Sequence, residues 1–95
     1  MATLTPLTAD GADVNPGEIP RYASLMVAEK INGIFVNGTS GESVSLTLDE
    51  RKRIQQAWLE TEEVKSGKLD SIIHVGGNTL SEIIELGRHA VQHGA

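Results

Sequence analysis

No cysteine occurs anywhere in the 95 residues, which excludes a disulfide framework and any thiolate metal site and suits a reducing compartment. Aromatic residues are almost as scarce. Trp58, Tyr22 and Phe35 make up the 3%, thin material for a self-sufficient core. Positive charge is in deficit as well, with eight Lys and Arg against thirteen Asp and Glu for a net charge of −5. No basic stripe or interleaved aromatic pattern is available to neutralise phosphates, so nucleic acid is excluded as a partner. Also missing are a charged start followed by an apolar run and any stretch long enough to cross a bilayer, so no membrane partner is expected. The expected location is the cytoplasm. Length sets the last limit: 95 residues make at most one small domain and cannot hold a complete large enzyme fold. The 39% apolar and 22% charged residues are those of an ordinary globular chain rather than a disordered one.

What is present follows one plan stated three times: apolar strand, polar turn, capped helix. Ala2 to Leu7 is short, apolar and β-branched, and Pro6 ends it because proline cannot donate to a ladder. Asn15 can cap a helix with Pro16 at its first position, and Ile19, Tyr22, Ala23, Met26 and Val27 recur at spacings of three and four. Gly33 to Val36 is a continuous apolar run, as expected of a strand buried on both faces of a parallel sheet. Thr47 and Glu50 form a capping-box pair before a helix with Leu48, Ile54, Ala57 and Trp58 on its apolar side, ending near Gly67. Ser71 to Val75 repeats the buried-strand pattern. Thr79 and Glu82 make a second capping box before Leu80, Ile83, Ile84, Ala90 and Val91, and Gly94 closes that helix. Strands alternating with helices imply βαβ units and a parallel sheet, hence an α/β fold.

In parallel sheets, ligands sit beyond the C-terminal ends of the strands, in barrels and open sheets alike. The segment VNGTSGE, residues 36 to 42, lies at such an end. Gly38 and Gly41 shape the loop by letting the backbone turn sharply and approach a ligand closely. They leave the N–H groups and hydroxyls of Thr39 and Ser40 free to point at one spot, an anion pocket in outline. A carboxylate fits better than a polyphosphate, because the loop holds no lysine or arginine and Glu42 would repel further negative charge. The competing reading is a glycine-rich turn whose hydroxyls merely cap the following helix.

The run Gly33-Ile34-Phe35-Val36-Asn37-Gly38-Thr39-Ser40-Gly41-Glu42, with Leu46 to Arg51 behind it, resembles the second strand and loop of the N-acetylneuraminate lyase and dihydrodipicolinate synthase family. These are class I aldolases on a (β/α)8 (TIM) barrel. Thr5-Pro6 and Ile72-Ile73-His74-Val75-Gly76 also fit, so the resemblance spans essentially the whole chain. Within the family, Asn37 and the His-Val-Gly after Ile73 resemble the sialic acid lyases more than the lysine-pathway synthases. The resemblance implies that residues 1–95 form the first three βα units of an incomplete barrel domain. It also implies a Schiff base between a lysine on a later strand and pyruvate or the sialic acid, an acid–base tyrosine, no metal and no cofactor. By the same resemblance the small-molecule substrate is held through its carboxylate, and the parent enzyme is a homotetramer. Carried over by position, Ser40 gives hydroxyl and N–H to the carboxylate, while Thr39 adds a contact and joins the hydroxyl relay to the tyrosine. Ser40 departs from the threonine common there, keeping the hydroxyl and losing a methyl that stiffens χ1.

Other motifs fail on inspection. His89 and His93 stand one helical turn apart, but Ala90 replaces the glutamate of HExxH and no third ligand is evident, so a solvated face is the expected reading. Thr39 stands where GxxxxGK needs its lysine, and Glu42 where GxSxG needs its last glycine. His74 is read as a satisfied core histidine and kept outside the site. Lys30, Lys52, Lys65 and Lys68 are expected on helices or the turns after them, and Tyr22 on the first helix, so neither catalytic group is expected in these residues. A barrel of this kind needs roughly 250 residues, and the expectation is an N-terminal piece that is inactive alone. A dihydrodipicolinate synthase-like aldolase and a non-catalytic βα interaction module are the alternatives.

Overall fold

The computed structural model describes residues 2–9, 11, 13–38, 46–77 and 79–95. In chain order these form a single 3-10 turn at Pro16–Glu18, α1 (Ile19–Ala28), β1 (Gly33–Val36), α2 (Leu48–Leu59), α3 (Glu62–Lys65), β2 (Asp70–Ile73) and α4 (Leu80–Gln92). β1 and β2 pair in parallel, Gly33 opposite Asp70 through Val36 opposite Ile73, and the helices between them make the crossover that parallel pairing requires. The α/β class therefore holds. Among the described residues no helix is long and apolar enough to cross a membrane.

The stretch from Ala2 to Leu7 corrects the expectation of a full first strand. It touches the sheet through one parallel bridge, Ala2 to Phe35, with the Thr3 N–H donating to the Phe35 carbonyl at 3.0 Å. The next donors are drawn elsewhere. The Leu4 N–H goes to the Tyr22 hydroxyl at 3.1 Å, Pro6 has none to give, and Leu7 bridges antiparallel to Val14. A ladder cannot extend when its N–H groups are spent in this way.

The helix ends are corrected too. Asn15 makes no side-chain cap, and the α-helix begins only at Ile19, after the 3-10 turn. Two prolines this close together, Pro16 and Pro20, leave few N–H groups for a cap to satisfy. Helix α2 has its capping box, with the Glu50 N–H on Thr47 Oγ1 at 3.1 Å and the Thr47 N–H on Glu50 Oε1 at 2.8 Å. It stops at Leu59 rather than near Gly67, because Thr61 donates to the Trp58 carbonyl at 2.7 Å and starts the separate turn α3 by accepting the Val64 N–H. Gly67 and Gly94 take positive φ past the ends of α3 and α4, as glycine stops do.

The core lies between the helices and one face of the sheet. Ile34 and Val36 point into it and meet Ile19, Ala23 and Met26 of α1, Ile54 and Trp58 of α2, and Val14 and Leu69 from the connections, all buried. Tyr22 stacks at a tilt on Trp58, ring centroids 5.1 Å apart. The other face of the sheet is open, against the expectation of strands buried on both sides: Phe35 is 38% exposed and its partner Ile72 65%. On α4 the expected apolar side divides. Leu86 and Ala90 are buried, whereas Leu80, Ile84 and Val91 are exposed, so two apolar stripes wind round one helix and only one is covered.

Candidate functional site

β1 ends in a left-handed turn. Asn37 has φ 60°, a conformation asparagine adopts more readily than most residues, and it is fully buried with Gly38 beside it. A Cβ on Gly38 would stand 3.3 Å from the Phe35 ring, so glycine lets the chain pass close over the open face. Gly38 is the last described residue before the loop. Thr39, Ser40 and Gly41, expected to bind and shape the carboxylate pocket, lie outside the described residues.

Around Asn37 the ends of both strands and helix α2 are tied together. The Asn37 amide donates to the Arg51 carbonyl at 3.1 Å. The Arg51 guanidinium, on a residue only 5% exposed, donates through Nη2 to the His74 carbonyl at 2.9 Å and through Nη1 to the Gly76 carbonyl. His74 closes the ring, its Nδ1 standing 3.0 Å from the Asn37 carbonyl. A carbonyl can only accept, so Nδ1 carries the proton and neutral His74 keeps Nε2 as an acceptor. The His74 N–H continues the sheet ladder to the Val36 carbonyl at 2.9 Å, and its ring leans on Phe35 with centroids 5.7 Å apart. A Cβ at Gly76 would come within 2.8 Å of His74 Nε2, so a larger residue there would displace the imidazole.

Arg51 is a buried cation at the strand ends. Desolvation holds its pKa below the ordinary arginine value, and the Glu82 carboxylate opposes that shift. Arginine remains charged in such settings. Glu82 thus does something other than expected. Its N–H is capped by Thr79 Oγ1 at 3.3 Å, but its carboxylate lies by Gly77, where a Cβ would stand 3.3 Å from Glu82 Oε2 and 3.7 Å from Arg51 Nη1.

His74 has the satisfied ring nitrogen expected of a core histidine, and Arg51 and Glu82, which the sequence alone does not place together, stand beside it at the strand ends. A signal for Arg51 existed: with Ile54, Gln55 and Trp58 it follows the three-and-four spacing of the buried side of α2, where a charged residue needs a partner. Lys30, Lys52, Lys65 and Lys68 lie on helices or the turns after them, and Tyr22 lies on α1, packed on Trp58. His89 and His93 stack at 4.5 Å, and among the described residues no group of three or more His, Cys, Asp or Glu could hold a metal ion. Their expected solvated face is corrected: His89 is half-buried between α2 and α4 because its Nδ1 accepts from the fully buried Gln55 amide at 2.6 Å.

The sequence profile of the dihydrodipicolinate synthetase family matches residues 1–95. The chain belongs to the dihydrodipicolinate synthetase family. Among its relatives, the N-acetylneuraminate lyase of Gallus gallus is 46% identical over 99% of this chain and 30% of its own length. The solved structure of wild-type Ruminococcus gnavus sialic acid aldolase superposes with a TM-score of 0.88 at 29% identity, covering 99% of this chain and 30% of that one. The dihydrodipicolinate synthase of Aquifex aeolicus follows with a TM-score of 0.84 at 27% identity, over 100% of this chain and 31% of the other. The chain thus spans about 30% of the length of the relatives it matches. Within the dihydrodipicolinate synthetase family, the α/β arrangement described here corresponds to the N-terminal part of larger proteins.

Proposed function

We propose that residues 1–95 form the first three βα units of a (β/α)8 barrel in a class I aldolase that cleaves N-acetylneuraminate to N-acetylmannosamine and pyruvate in the cytoplasm. The observation that carries this reading is the 46% identity to an N-acetylneuraminate lyase over 99% of the chain. Asn37 and His74 support it further, since the residues that favour the lyase branch are bonded to each other at the strand ends.

In this reading the loop after Gly38 holds the substrate carboxylate. Ser40 donates from its hydroxyl and N–H, and Thr39 adds a contact and passes a proton towards the tyrosine. The Schiff-base lysine and that tyrosine lie in the part of the barrel that residues 1–95 do not supply, and the whole enzyme is a homotetramer. Pyruvate is bound as a monoanion, which suits a loop with two hydroxyls in its Thr39-Ser40 pair and no basic residue.

Trapping with borohydride tests the reading. The complete enzyme carrying these residues, incubated with pyruvate and reduced, gains one covalent adduct per chain by mass spectrometry, and it releases pyruvate from N-acetylneuraminate. The 95-residue chain alone gains none. An adduct on Lys30, Lys52, Lys65 or Lys68, or a complete enzyme inert towards N-acetylneuraminate, overturns it.

A further inference from the structure

Where α2 and α4 meet, a cleft of about 640 Å3 is lined by Lys52 of α2 and by Ser81, Ile84, Glu85, Arg88 and His89 of α4, a size typical of small-molecule sites. Spacings of three and four put Ser81, Ile84, Glu85 and Arg88 on one face of α4. Lys52 reaches that face from α2, bonding Glu85 at 2.6 Å with its own side chain only 26% exposed. Its ammonium has two N–H groups left. Arg88 has no ion pair among the described residues. His89 is fixed from behind by the fully buried Gln55, whose amide donates to Nδ1 at 2.6 Å and to the Leu86 carbonyl at 3.1 Å. Turning that amide over would set its oxygen against the Leu86 carbonyl, two acceptors face to face, so the orientation is settled although Gln55 Oε1 is buried without a partner among the described residues. An imidazole whose Nδ1 accepts carries its proton on Nε2, and the nitrogen left for the cleft is a donor.

We propose that this cleft binds a small organic monocarboxylate, held through its carboxylate by Arg88 and the His89 Nε2–H with Lys52 at its flank, and through its apolar part by Ile84. The donors converge, and among the described residues lining the cleft the one carboxylate, Glu85, is already matched by Lys52. That leaves a single uncompensated positive charge, on Arg88, in a chain of net charge −5. One such charge suits a monoanion, whereas a phosphate dianion would stand unbalanced beside Glu85. Ile84, 45% exposed, offers apolar surface that a bare inorganic ion would not use. None of these groups belongs to the strand-end ring of Asn37, Arg51 and His74 or to the loop after Gly38, so the cleft is independent of the proposed function.

Benzoate is the probe, with benzamide as its neutral counterpart and sodium chloride as the ionic-strength control. As benzoate is added to the 95-residue chain at pH 8, NMR is expected to show the Arg88 guanidinium, the His89 ring and the Ile84 methyl groups shifting together, half-complete below about 10 mM. Benzamide and chloride at the same concentrations leave them in place. Arg88→Gln is expected to weaken binding about tenfold, as loss of a hydrogen bond to a charged group does. Glu85→Gln is expected to tighten it, because a repelling carboxylate is removed and Lys52 is released. Arg88 and Glu85 are both exposed, so neither exchange disturbs the core. Tightening is a result that charges serving only to keep the surface solvated do not produce. Absent shifts, equal shifts with benzamide or with chloride, an Arg88→Gln chain that binds as well as the unsubstituted one, or a Glu85→Gln chain that binds no more tightly each overturn the proposal.

Discussion

The two faces of the β1–β2 sheet are built from the same strands and have opposite surroundings. Ile34 and Val36 on one face are buried under α1 and α2, with Trp58 and Ile54 completing the layer. Phe35 and Ile72 on the other are side by side in register and substantially exposed. Both faces are apolar, so composition does not separate them. What separates them is whether these residues supply a helix to cover the face. The covered face holds the core, and the open face is the one that would turn inward in the proposed barrel. The ring of Asn37, Arg51 and His74 sits where the faces meet, at the strand ends, joining a helix of the covered side to a histidine that leans on the open-side Phe35.

Truncation should split the two faces by the largest margin available. Trp58→Ala removes the largest fully buried side chain and is expected to cost about 3–5 kcal/mol. Ile72→Ala deletes a side chain that is 65% exposed and should change stability by no more than about 0.5 kcal/mol. Urea titration followed by circular dichroism measures both. Trp58→Phe sharpens the contrast, because the buried Trp58 Nε1 has no partner among the described residues. Losing that donor forfeits no bond, so the exchange should cost less than about 1.5 kcal/mol. Equal losses for Trp58→Ala and Ile72→Ala would mean that both faces are covered in solution.

The next effect is expected at the seam. Asn37→Ala places a Cβ-bearing residue without a local hydrogen bond at φ 60°, at about 1–2 kcal/mol. It also deletes the bond to the Arg51 carbonyl, worth about 1 kcal/mol. Asn37→Gly should lose only the second contribution. Denaturation midpoints of the two variants separate backbone strain from side-chain bonding, and identical losses would show that the turn relaxes out of the left-handed region.

Much of this was legible in the sequence because the signals were local. The helices and the two paired strands follow from three-and-four spacing, apolar runs and caps such as Thr47 with Glu50, each decided within a few residues. What failed to show were competitions over distance. Nothing near Leu4 announces that its N–H goes to the Tyr22 hydroxyl rather than to a ladder. Thr61 looked like one more helical residue until its bond to the Trp58 carbonyl ended α2. The candidate site divides in the same way: the loop Thr39 to Gly41 is proposed from its motif alone, whereas Arg51 and His74 bond to partners at least 14 residues away. Only the phase of Arg51 on the buried side of α2 hinted at its role.

A smaller effect tests how the covered side is assembled. Thr47 accepts the Glu50 N–H and has its own N–H bound in return, so Thr47→Ala should cost about 1 kcal/mol. Thr79 caps Glu82 at 3.3 Å while the Glu82 carboxylate lies by Gly77. Thr79→Ala should therefore cost less, roughly 0.5 kcal/mol, at the low end of the range for caps. Thermal melts of the two variants compare a complete capping box with half of one.

The smallest effect is a pH dependence in the layer between α2 and α4. Gln55 is fully buried and spends its amide N–H groups on the Leu86 carbonyl at 3.1 Å and on His89 Nδ1 at 2.6 Å. Accepting that bond requires His89 to be neutral. Desolvation lowers its pKa first, and the nearby His93 and Lys52 charges lower it further. Among the described residues, other charged groups about this layer are Arg88, which lines the same cavity as His89, Glu60, 3.6 Å from His93 Nδ1, and Glu85, paired with Lys52 at 2.6 Å. As pH falls below the ordinary histidine value of about 6.5, the unfolded chain takes up the His89 proton before the folded one does. The contribution of His89 is therefore complete above that pH, declines below it, and levels off once the folded form protonates too. His89→Asn can place an amide oxygen near the Nδ1 position, keeping an acceptor for Gln55 without a titrating group. Urea midpoints measured from pH 8 to pH 5 should decline more steeply for the unsubstituted chain than for His89→Asn. Parallel curves would mean that His89 is solvated and that Gln55 is satisfied without it.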